Sequence, residues 1–71
     1  MIMVEVFKTN VQQTEEAETL LLKLAEHFST HKINFDLHDC DKILRVQGKD
    51  ILVEKIIQLL NKENYQCKVL V

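Results

Sequence analysis

Apolar and polar residues alternate without a break from Ile33 to His38, with Ile33, Phe35 and Leu37 on one side and Asn34, Asp36 and His38 on the other. Successive strand side chains point to opposite faces, so this stretch predicts a strand with one covered and one wet face. Residues 43–47 give a second such segment, with Leu44 and Val46 inward and Ile43 and Arg45 on the opposite face. Residues 2–9 differ, because Val4 and Val6 alternate with Met3, Glu5 and Phe7, so both faces carry apolar side chains. That suits a central strand. A fourth strand is predicted over 65–71, with Cys67, Val69 and Val71 sharing one face and Leu70 on the other.

Two stretches carry the helical period instead. Ala17, Leu20, Leu21, Leu24 and Phe28 form one apolar stripe. Thr14 is the expected N-cap, and Glu15, Glu16 and Glu18 place negative charge at the positive end of that helix. A second helix is expected from about Ile51 to Lys62, with Val53, Ile56, Ile57 and Leu60 inward and Leu52 and Leu59 widening the apolar face. Asp50 is its expected N-cap, and Asn64 the residue that takes a left-handed conformation at its end. The connections are short and polar: Asn10–Gln13, Ser29–Lys32, a hairpin turn at Asp39–Lys42, and Gly48–Asp50.

The order is therefore βαββαβ. Both crossovers must be right-handed. The predicted fold is α+β: a ferredoxin-like open-faced sandwich, with a four-stranded antiparallel sheet in order 4-1-3-2 and two helices on one face. Residues 1–71 form a single domain, with one Gly and no Pro to interrupt the elements. A chain of this length buries only roughly 60% of its unfolded surface. The net charge is −2 and no run of Lys or Arg occurs, so nucleic acid is not an expected partner. The apolar start Met1–Val4 is too short for a membrane span. A cytoplasmic protein is expected.

Phe7-Lys8-Thr9-Asn10-Val11, Asn34-Phe35-Asp36-Leu37, Asp41-Lys42-Ile43-Leu44-Arg45-Val46-Gln47-Gly48 and Asn64-Tyr65-Gln66-Cys67 together resemble the heavy-metal-associated domain of copper chaperones and metal-transporting ATPases. The likeness covers essentially the whole chain, in register with all six elements. It implies a soft-metal carrier whose Cys-x-x-Cys lies in the loop after the first strand, with the second Cys opening the first helix. Two thiolates suit Cu(I), and a helix N-terminus favours the thiolate form. At the matching positions this chain has Gln13 and Glu16, neither a soft ligand. Val11 stands where the family usually has Met. The resemblance thus implies the scaffold without its usual metal site, and no cofactor is expected.

Other groupings carry less chemistry. His38 and Cys40, flanked by Asp36, Asp39 and Asp41, offer nitrogen, sulfur and oxygen donors at the hairpin, the weak alternative metal site. His27 and His31 are spaced i, i+4, which puts both on one helix face if the helix reaches that far. Cys40 and Cys67 fall at opposite sheet edges and should not meet. Glu15, Glu16 and Glu18 read as a solvated helix start. The resemblance implies that Tyr65 lies near the first loop, packed against Val11. An acylphosphatase would need an Arg and a phosphate-cradling loop at residues 10–13, and an RNA-recognition module aromatics on the central strands; both are lacking. No nucleophile–base spacing suggests an enzyme. A small-molecule sensor of the regulatory ferredoxin-like kind has nothing to name its ligand. What remains is the second sheet face, where Val4, Val6, Ile43, Arg45 and Leu70 should project away from the helices. A contiguous apolar patch there marks an interaction surface, for a homodimer or another protein partner. The expected function is a non-enzymatic binding module; the alternative is a metal-binding or metal-trafficking protein with His and Cys ligands.

Overall fold

The computed structural model describes residues 2–70. Its elements follow as β1 (Met3–Thr9), α1 (Thr14–His27), β2 (Lys32–Asp36), β3 (Ile43–Gly48), α2 (Val53–Lys62) and β4 (Cys67–Val69). The four strands form one antiparallel sheet in the order β2-β3-β1-β4. This is the ferredoxin-like arrangement, with β1 and β3 central as the alternation requires. Val71, expected on the inner face of β4, lies outside the described residues.

The register fixes which side chains share a face. Phe7 is opposite Leu44 and Val69, and Leu44 is opposite Phe35. That row faces the helices. Phe7, Leu44, Val46, Leu24, Ile56 and Leu60 form the centre of the core, all without solvent exposure. A smaller cluster of Val11, Ala17 and Leu20 closes the end beneath Tyr65. α1 packs over β2 and α2 over β4. A Lys23–Glu63 ion pair of 2.7 Å ties α1 to the end of α2.

Several boundaries differ from expectation, each for a local reason. The N-cap of α1 is Gln13, not Thr14. Gln13 has extended φ and ψ of −112° and 144°, and its carbonyl accepts the first helical bond from Ala17 N–H at 3.1 Å. Glu16, three residues on, returns its carboxylate to Gln13 N–H at 3.1 Å, one half of a capping box. Asp50 does not cap α2. Its φ of 52° is left-handed, whereas an N-cap needs extended backbone; Leu52 takes that place and α2 starts at Val53. β2 stops at Asp36, short of His38, because the Asp36 carboxylate accepts His38 N–H at 3.2 Å and turns the chain. β4 begins at Cys67 rather than Tyr65. Asn64 does take the left-handed conformation, with φ 74°.

The single glycine is required by packing, not by its dihedrals. Gly48 has no positive φ, but a Cβ there would stand 2.3 Å from His31 Cδ2. His31 is fixed over it: Nε2–H donates to Lys49 C=O at 2.7 Å and the ring meets Phe28 edge-on. Gly48→Ala is expected to lower stability by about 1–3 kcal/mol through overpacking. The loss should not add to that of His31→Ala, so the double variant should be no less stable than His31→Ala alone. Urea denaturation of the three variants measures this.

Candidate functional site

The loop after β1 is tied down at every turn. Thr9, buried at the end of the strand, donates its hydroxyl to Lys42 C=O at 2.6 Å and accepts Val11 N–H at 3.3 Å. Thr9 N–H donates to Asp41 C=O at 3.1 Å. Asn10 Oδ1 accepts Gln66 N–H at 2.8 Å, fastening the loop to the approach to β4. Val11 is fully buried, the apolar anchor under the loop.

Glu16 organises the far side of that loop. One carboxylate oxygen accepts Gln13 N–H and, at 3.4 Å, Gln12 N–H. The other accepts the Tyr65 hydroxyl at 2.8 Å. The Tyr65 hydroxyl and the backbone N–H of Gln13 hold the Glu16 carboxyl below its ordinary range. The carboxylate in turn pushes the Tyr65 phenol up. Tyr65 therefore covers the loop and packs beside Val11 as expected, and adds a polar latch that sequence reasoning missed. A Glu three residues after a helix start is legible as a cap; its second partner, 49 residues away, is not. Gln13 is thus an exposed amide, and Glu16 a carboxylate engaged in structure.

The hairpin offers a looser group. Donor atoms of Asp39, Cys40 and Asp41 lie within 4.8 Å of one another, and His38 is not among them. Asp39 is already accepting Asp41 N–H at 2.8 Å, and Asp41 faces Lys8 at 3.6 Å. His27 and His31 do not share a helix face, because α1 ends at His27 and Phe28 stands between the two rings. The thiols have opposite settings: Cys40 is exposed, and burial pushes Cys67 up to about 12.

The open sheet face is where the structure departs most from expectation. Its rows are Lys68, Lys8, Ile43 and Asp36; then Leu70, Val6, Arg45 and Asn34; then Val4, Gln47 and Lys32. Val4 is 52% and Leu70 40% exposed, with half-buried Val6 beside both. Ile43 does not join them. It is only 4% exposed, set between Lys8 and Asp36 on the neighbouring strands. The apolar patch is therefore a corner rather than the whole face. The rest is cationic: Lys32, Arg45 and Lys68, with Lys8 ion-paired to Asp41 at the rim, stand against Asp36, the one carboxylate within these rows. No linear run announced this, because the four residues come from four strands. Their positions in the alternation and the strand register together were the available signal.

No protein-family model, curated protein or solved structure matches the chain. Among the described residues no helix is long and apolar enough to cross a membrane.

The Glu16–Tyr65 latch gives a pH signature. Glu16's folded value is lowered, so its contribution is present above the ordinary carboxylate range and is lost as pH falls through the lowered value. Tyr65's is raised, so its contribution is present below the ordinary phenol range and is lost as pH rises through the raised value. In Tyr65→Phe, carbon-detected NMR titration should show the Glu16 carboxyl moving back up. The thiols give a second test. In the native protein a disulfide reagent should label Cys40 promptly and Cys67 only after denaturant is added, counted by mass spectrometry.

Proposed function

We infer that the chain is a non-enzymatic binding module that docks an acidic protein segment on the open face of its sheet. The observation that carries this reading is the pairing of an apolar corner, exposed Val4 and Leu70 with half-buried Val6, with the cations Lys32, Arg45 and Lys68 and the Asp41-paired Lys8 on a chain whose net charge is negative. Apolar surface supplies affinity, and complementary charge supplies encounter rate and register. The scaffold is that of a heavy-metal-associated domain whose ligand positions have become Gln13 and Glu16. In support, Glu16 holds Tyr65 and the helix cap rather than facing an open loop.

The make-up of this face decides against two neighbouring readings, one by its charge and one by its lack of aromatic rings. A face with three cations unpaired among the described residues, an ion-paired Lys8 and one carboxylate in its rows still carries net positive charge and repels a second copy of itself, so face-to-face self-association is disfavoured. The open face carries no aromatic side chain on which a base would stack, so nucleic acid fits it poorly. Partners are instead acidic segments with interspersed aliphatic or aromatic residues.

The test is titration of 15N-labelled protein with a set of such acidic amphipathic peptides. The expected shifts are confined to the amides of Val4, Val6, Arg45, Lys68 and Leu70, weaken with added salt, and vanish in Val6→Glu/Arg45→Glu. Shifts that map to the helices, or an open face that none of the peptides perturbs, would overturn the reading.

A further inference from the structure

The sheet has two free edges, and they are unequal. β4 is three residues long, and Gln66 N–H just before it is capped by Asn10. Short, capped edges resist further pairing. β2 is five residues long, and nothing among the described residues lies along its outer side. Beside it, between β2 and α1, run two adjoining hollows of about 480 and 290 Å³ that share Glu18 and Leu21. Their walls include Leu22, Ala25, Ile33 and Phe35. Leu22 is 72% exposed, the most exposed large apolar side chain among the described residues.

The sequence of β2 is self-complementary when reversed. It reads Lys32, Ile33, Asn34, Phe35, Asp36. Laid antiparallel to a second copy about Asn34, it sets Lys32 opposite the partner's Asp36 and Asp36 opposite the partner's Lys32. Asn34 meets the partner's Asn34 on the axis. On the inner face Ile33 meets the partner's Phe35, and the reverse. Opposite charges and apolar pairs directly across two antiparallel strands both stabilise the pairing. The groups needed are free to respond. Lys32 is exposed and takes part in no ion pair among the described residues. Asp36 uses one oxygen for His38 N–H and keeps the other. Asn34 accepts from Arg45 at 3.4 Å, which leaves its amide N–H₂ as a donor.

We propose that two copies of this chain pair antiparallel through β2, forming one eight-stranded sheet centred on Asn34. A twofold axis normal to the sheet keeps both pairs of helices on the same side. It brings the two α1 helices together over the seam, where Leu21 and Leu22 cover it. The two open faces then lie side by side in one continuous surface. This contact is distinct from the open face itself, so either reading can stand without the other.

Charge reversal tests the register. Lys32→Asp alone and Asp36→Lys alone each place like charges opposite each other at both ends of the seam. Each is expected to raise the dimer dissociation constant roughly tenfold or more. The double variant Lys32→Asp/Asp36→Lys restores both pairs and should recover the dimer. An equimolar mixture of the two single variants should form a heterodimer, seen by native mass spectrometry and sedimentation equilibrium. Circular dichroism confirms that each variant is folded. A wild-type protein that stays monomeric as its concentration is raised overturns the proposal. So does a dimer that neither single variant weakens, or one that Val6→Glu breaks while the reversals do not.

Discussion

Two helices roof one face of a four-stranded sheet and leave none for the other. That limit shapes the whole molecule. Burial is concentrated in the layer between the helices and the inner face, where Phe7, Leu44 and Val46 from the two central strands meet Leu24, Ile56 and Leu60. Removing apolar surface from water is the main driving term in folding, and a chain of this size has one place to do it. The other face must be soluble by composition. Lysines and an arginine hold most of it in water, and Ile43, the residue least suited to that, is sheltered between Lys8 and Asp36.

The loop between β1 and α1 follows the same economy. Thr9 and Glu16 satisfy its backbone N–H groups, Asn10 and Tyr65 fasten it to the approach to β4, and Val11 plugs the core beneath it. A buried or half-buried backbone group without a partner is destabilising, so these residues have structural work to do. Chemistry at this loop would need side chains free to meet a ligand. Here the Glu16 carboxylate in the first turn of α1 already accepts three hydrogen bonds. The open sheet face, by contrast, presents Val4, Leu70 and the exposed Lys32 to solvent.

Much of the fold was legible because the alternation in β2 and β3 and the stripe of α1 are strong local signals. Strand order then followed from handed crossovers. The capping details were less legible. Thr14 and Asp50 are good capping residues by type, but the chain places extended backbone at Gln13, left-handed backbone at Asp50, and the start of α2 after Leu52. The pairing of His27 with His31 failed because the helix ended before the second histidine, which instead roofs Gly48. The surface was read in part. Val4, Val6 and Leu70 were assigned to the right face by parity, whereas the gathering of Lys8, Lys32, Arg45 and Lys68 needed the register of three strand pairs.

The central claim is that one sheet face is open and available in the protein alone. Methyl NMR with a soluble, uncharged gadolinium chelate tests it most directly. Strong broadening is expected for the methyls of Val4, Val6 and Leu70, with Leu44, Val46 and Ile56 protected and Ile43 protected despite lying on the open side. Edge pairing through β2 leaves that pattern unchanged. Protection of Val4 and Leu70 in the isolated protein would contradict the claim, because the face would then already be covered.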